Sequence, residues 1–128
     1  MKKHPAKSPR RLRLLAVLSD LHCGSDVAIM PPDFQTHNGN IVGQNALQSW
    51  LWECWQHAHT WLADLAAGDP YGVILNGDLI EGIHHRTTEV WSAKMDDHVE
   101  SARQILAPVT DNASRVFIVE GTECHTGS

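Results

Sequence analysis

Three short apolar runs alternate with two long amphipathic stretches, and each run closes on a cluster of carboxylates or histidines. The runs cover residues 12–18 (Leu-Arg-Leu-Leu-Ala-Val-Leu), 73–75 (Val-Ile-Leu) and 116–119 (Val-Phe-Ile-Val). Runs apolar at nearly every position read as strands covered on both faces. Between the first two, Leu47, Trp50, Leu51, Cys54, Ala58, Trp61, Leu62 and Leu65 recur at spacings of three and four. That is one broad apolar stripe of a helix, stopped by Gly68-Asp69-Pro70. A second helix is expected over residues 92–107, with Met95, Val99, Ala102, Ile105 and Leu106 inward and Pro108 touching only its end. The order β-α-β-α-β predicts an α/β fold: a mostly parallel sheet, right-handed crossovers and flanking helices. Residues 23–43, with Pro31-Pro32 and Asn38-Gly39-Asn40, read as a long loop. Loops of that length in compact domains are functional or disordered.

Ligands of open α/β sheets bind beyond the carboxyl ends of the strands. There the chain places Asp20-Leu21-His22, then Gly77-Asp78 with Glu81, then Gly121-Thr122-Glu123-Cys124-His125. Asp20 and His22 are two apart, so in extended backbone they point to one side. A hard oxygen beside an imidazole nitrogen suits manganese, iron or zinc. Gly77 permits a tight turn, letting the Asp78 carboxylate reach the first pair. A carboxylate there can bridge two ions, and a two-metal centre clamps the attacking and leaving oxygens of a phosphoryl displacement.

Plainer roles compete for the same residues. Asp20 and His22 could be a turn or capping pair, and Asp78 a turn residue after Asn76-Gly77. Glu81 reads first as a solvated loop charge and second as support for a ligand. His84 and His85 read as an exposed loop pair before a phosphate contact. His57, His59 and His98 lie on helices, where a surface or satisfied-core role prevails. Trp50, Trp52, Trp55 and Trp61 favour core packing over base stacking, with Trp52 off the main stripe and facing a missing part of the domain. Cys23 and Cys124 flank His22 and His125 without the Cys-x-x-Cys spacing of a zinc site.

Composition narrows the function classes. Ten Lys+Arg against fifteen Asp+Glu leave a net charge of −5, which argues against broad electrostatic binding to nucleic acid. No apolar run reaches the 18 or so residues of a membrane span. Residues 1–11, with Lys2, Lys3, Lys7, Arg10 and Arg11, read as a flexible basic tail and not as a signal peptide. Three unpaired cysteines exclude a disulfide framework and point to a reducing, cytoplasmic compartment. A nucleotide-binding reading lacks any Gly-rich phosphate loop.

Asp-x-His, Gly-Asp-Leu-Ile-Glu-Gly and Gly-Thr-Glu-x-His-x-Gly, each behind an apolar strand, resemble the calcineurin-like metallophosphoesterases, in particular the members found in phages and prophages. The resemblance spans residues 12–128. It implies the β-α-β-α-β half of that family's sandwich and the hydrolysis of phosphomonoesters or phosphodiesters by a dinuclear metal-activated water. Manganese is the favoured metal, with iron or zinc as alternatives, and the substrate is a phosphate ester such as a nucleotide or nucleic acid. Asp20 and His22 match ligands of the first metal, Asp78 matches the bridging ligand, and His125 matches the general acid. The family's third motif is Gly-Asn-His, with Asn on the second metal. Here three residues separate Gly121 from His125, and Glu123 is the best hard-oxygen substitute among Thr122, Glu123 and Cys124.

The family completes its metal site with histidines further C-terminal, including a Gly-His-x-His pair. The sequence ends at Ser128, ahead of such motifs. The expectation is an N-terminal part of the domain, truncated or completed by a partner chain, and prone to self-association. The alternative function is a non-catalytic remnant or subunit that cannot hold two metals by itself.

Overall fold

The computed structural model describes residues 11–84 and 88–123. The basic head at 1–10 and the candidate residues His85, Cys124 and His125 lie outside the described residues. In chain order the elements are β1 (Leu14–Leu18), β2 (Phe34–Gln35), β3 (Ile41–Val42), α1 (Ala46–Ala66), β4 (Tyr71–Asn76), α2 (Met95–Thr110) and β5 (Arg115–Val119). β1, β4 and β5 form a parallel sheet in the order β1-β4-β5, and β2 pairs with β3 as a small antiparallel hairpin. The expected α/β alternation is met, and the hairpin is an addition inside the long loop. Two-residue strands leave no periodicity to read.

Both crossovers run in the same direction across the sheet, so right-handed connections put both helices on one face. Tyr71, Val73 and Leu75 of β4 bury against Ala66 of α1 and against Leu106 and Val109 of α2, with Leu14, Ala16 and Leu18 packed alongside. Tyr71 Oη donates to the Val109 carbonyl at 2.5 Å, and Trp55 Nε1 donates to the Ile105 carbonyl at 2.8 Å. Each aromatic thereby buries its ring while its polar end keeps a partner.

The opposite face is open. Leu15 and Val17 of β1 are 49% and 58% exposed, and every residue of β5 is exposed. The sequence predicted strands covered on both faces; within the described residues β1 and β4 are covered on one face and β5 on neither.

α1 begins with a capping box: Asn45 accepts from Gln48 N, and Gln48 Oε1 accepts from Asn45 N, both at 2.9 Å. Such reciprocal bonds satisfy two orphan donors of the first turn. The helix ends as the sequence predicted, with Ala67 in the left-handed region ahead of Gly68. Its inward face departs from the predicted stripe. Gln48 and Ala66 are buried, and Trp52, Trp55 and Leu62 pack on the two core clusters. Trp50 and Trp61 stay 59% and 66% exposed, with Leu47 and Leu65 beside them. Apolar residues run most of the way around this helix, so two overlapping stripes satisfy the same period. Trp52, expected to face a missing part of the domain, packs instead on Cys23, Ala102 and Ile105. α2 starts three residues later than expected and runs through Pro108 to Thr110.

Candidate metal centre

The loops leaving β1 and β4 are zipped together by their main chains. Asp20 N donates to Gly77 O at 3.2 Å, His22 N to Asp78 O at 3.0 Å, Cys23 N to Leu79 O at 3.0 Å and Glu81 N to Cys23 O at 2.9 Å. The pairing continues outward, where Asp26 N reaches Glu89 O and Trp91 N reaches Gly24 O, each at 3.0 Å. Motifs more than fifty residues apart in sequence therefore sit side by side.

Asp20, His22 and Asp78 converge at this seam, each offering a ligand atom within 4.8 Å of the others. All three hold a positive φ, 57°, 45° and 51°. Left-handed backbone is uncommon for residues other than glycine, and such conformations gather at functional sites. The donor set, two carboxylates and an imidazole, suits a divalent transition ion. The β1 and β4 strand ends thus meet as the sequence predicted, but Asp20 and His22 come together through left-handed turns and not through the expected extended backbone.

Glu81 and Thr122 orient two of these ligands. His22 Nδ1 donates to Glu81 Oε2 at 2.9 Å, which turns Nε2 toward Asp20, 3.7 Å from Oδ1. A carboxylate behind a ligating histidine fixes its tautomer and ring angle. Glu81 is only 18% exposed at its side chain and also contacts His84 Nε2 at 3.1 Å. It is a packed partner of His22, not a solvated charge, and His84 faces Glu81. On the other side, Thr122 donates to Asp78 Oδ1 twice, from its main-chain N at 2.8 Å and from Oγ1 at 2.9 Å.

Space around Asp78 is tight. Gly77 carries a φ of 79°, and a Cβ on Gly121 would lie 2.5 Å from Asp78 N and Oδ1. Only glycine at 121 lets β5 deliver Thr122 to the carboxylate. Glu123 is exposed just past β5 and is not one of the three converging ligands. The sequence offers Thr122 as an alternative to Glu123 for a ligand position; its role as a hydrogen-bond donor to Asp78 leaves no mark in motif spacing.

Cys23 is fully buried beneath the seam, and burial pushes its thiol up to about 12. It packs with Ala102 and Ile105 in the core and is not one of the three converging ligand residues. His98 is also fully buried and donates from Nε2 to Ser92 O at 2.8 Å, while its Nδ1 has no hydrogen-bond partner among the described residues, so the expected core histidine is only half satisfied. Another buried group, Asp97, holds the hairpin. It accepts from His37 N at 2.7 Å, from His37 Nδ1 at 3.1 Å and from Ser92 Oγ at 2.5 Å. The loop expected to be functional or disordered is thereby tied to the start of α2.

A cleft of about 640 Å³ opens beside Asp20 and His22, bounded by α1 and the segment after Ser25. Among the described residues, no helix is long and apolar enough to cross a membrane. No protein family, curated protein or solved structure gives a significant match to this chain.

Proposed function

We propose that the chain carries a metal centre of the calcineurin-like metallophosphoesterase type, hydrolysing phosphate esters at a site built on Asp20, His22 and Asp78. The observation that carries this reading is the convergence of those three ligands, all in left-handed backbone, at the carboxyl edge of a parallel sheet. Three motifs resembling those of the family, in order at three strand ends, support it from the sequence.

A divalent cation held there would supply positive charge to phosphoryl oxygens and lower the pKa of water, with manganese the favoured ion. The chain's own contribution is orientation. Glu81 sets the His22 ring, Thr122 fixes one oxygen of Asp78, and the main-chain seam holds both loops at one spacing. In this reading Glu123 would be the residue to offer an oxygen to a second ion, and His125 the one to hold the proton for the leaving oxygen. Nucleotides or nucleic acid are the proposed substrate class.

The uncovered sheet face favours a second reading, a cation-binding unit that turns over substrate only with a partner chain. Manganese-dependent hydrolysis of bis(p-nitrophenyl) phosphate, compared with Asp78→Asn, tests both. Turnover lost in the variant supports the enzyme. Manganese bound without turnover selects the second reading, and neither binding nor turnover refutes both.

A further inference from the structure

The cleft beside the metal residues has two chemically different ends. One carries the carboxylates of Asp20 and Glu81 with the His22 ring; the other is walled by Val27, Ile29, Leu51, Trp55 and Ala58, with Glu89 the acidic residue on that side. Its volume of about 640 Å³ lies within the range of small-molecule sites, which are concave, mostly apolar and carry a few convergent polar groups. The apolar end is built, not incidental. Trp55 is held by its bond to the Ile105 carbonyl, and the segment after Ser25 is held by Asp26 N on Glu89 O and by Asn45 Nδ2 on Asp26 O at 2.7 Å.

The polar end is acidic. It repels a phosphate ester unless a cation intervenes, so an ester that binds must place its phosphate toward Asp20 and His22 with a cation. The rest of the ester then extends along the apolar wall. The lining holds no lysine or arginine and includes Glu89, so a polyanionic continuation finds no counter-charge there. The wall suits a flat, uncharged ring.

We infer that this cleft is a specificity subsite for a planar aromatic group carried by the phosphate ester, with Val27, Leu51, Trp55 and Ala58 as the residues that recognise it. The inference rests on the phosphoesterase reading and narrows its substrate class from nucleotides or nucleic acid at large to small esters bearing an aryl ring or a nucleobase, in preference to alkyl or polyphosphate esters. Apolar contact of this kind discriminates between substrates through buried area, roughly tenfold for each 1.4 kcal/mol gained.

Calorimetric titration of the full chain in manganese with methylphosphonate, phenylphosphonate and thymidine 5′-phosphate tests it. The expected result is at least tenfold tighter binding of one or both aromatic probes than of methylphosphonate. A larger gain for phenylphosphonate places the ring directly on phosphorus, and a larger gain for the nucleotide places it one sugar away. Ala58→Phe, on an exposed helix position, fills the cleft and should erase the aromatic advantage while manganese affinity stays unchanged. Val27→Ser, also at an exposed position, removes apolar wall without closing the space and should reduce the advantage in part. Equal binding of all three probes to a manganese-loaded chain overturns the subsite and leaves the metal reading standing. An Ala58→Phe chain that loses methylphosphonate equally also overturns it. Failure of the wild-type chain to bind manganese overturns both together.

Discussion

The main-chain N–H of His22 donates to the main-chain carbonyl of Asp78 at 3.0 Å, so the imidazole of one motif and the carboxylate of another are spaced by a bond between their own backbones. Ligand spacing therefore depends on the β1–β4 seam and not on side-chain flexibility. Metal affinity should follow the integrity of that seam and of the groups that aim the ligands.

Glu81 aims His22, so Glu81→Gln should weaken manganese binding by about 10–100-fold, the usual cost of losing a partner behind a metal ligand. The fold should persist, since Glu81 lies in a loop outside the strands. Manganese titration monitored by electron paramagnetic resonance, with circular dichroism as a control, checks this. Unchanged affinity would show that the His22–Glu81 contact does not orient the ring.

Gly121→Ala inserts a Cβ 2.5 Å from Asp78 N and Oδ1. Relief requires β5 to withdraw, at a cost of about 1–3 kcal/mol for overpacking. Thr122 would withdraw with it, releasing Asp78. Thermal unfolding with and without manganese should show a lower Tm and a smaller stabilisation by the metal. Thr122→Val, which removes the hydroxyl donor but keeps the main-chain one, should lose less of both.

Asp97 sits almost fully buried among donors. Burial raises its carboxyl, but hydrogen bonds from Ser92, the His37 main chain and the His37 ring outweigh it and hold the group below its ordinary value. With the folded pKa below the unfolded value of about 3.9, the stabilisation is complete above that value and drains away as pH falls through the folded pKa. Asp97→Ala should cost about 2–4 kcal/mol at neutral pH, because it strips a buried acceptor from three donors. Urea unfolding from pH 7 to pH 2 should show the gap between wild type and variant closing only at the acid end.

The open sheet face carries Leu15 and Val17 at 49% and 58% exposure, with Phe117 at 47% on β5. Contiguous apolar surface of this kind marks association. Sedimentation velocity on the 128-residue chain should show concentration-dependent self-association. Val17→Lys with Phe117→Lys should return it to a monomer without changing manganese affinity.

Much of this arrangement was legible in the residues. The strand–helix alternation implies a parallel sheet, and the rule that ligands gather at carboxyl strand ends points to Asp20, His22 and Asp78, together with Glu81 and Glu123, of which the first three converge. The inward face of α1 was not legible, because Trp50 and Trp61 obey the helical period as well as Trp52 and Trp55 do, and only packing against α2 separates them. Neither was the seam. Main-chain pairing of the loops after β1 and β4 carries no side-chain signature, and the left-handed turns at Asp20, His22 and Asp78 are imposed by that pairing. The part Thr122 plays was hidden for a similar reason, since its main-chain N–H makes one of its two bonds to Asp78.

Manganese titration of the wild-type chain against Asp78→Ala tests the central claim most directly. Asp20, His22 and Asp78 share one site, so the wild-type chain should bind manganese saturably, and removal of the Asp78 carboxylate should abolish that binding while the circular dichroism spectrum is retained. A folded wild-type chain that binds no manganese, or an Asp78→Ala chain that binds it as tightly, would contradict the account.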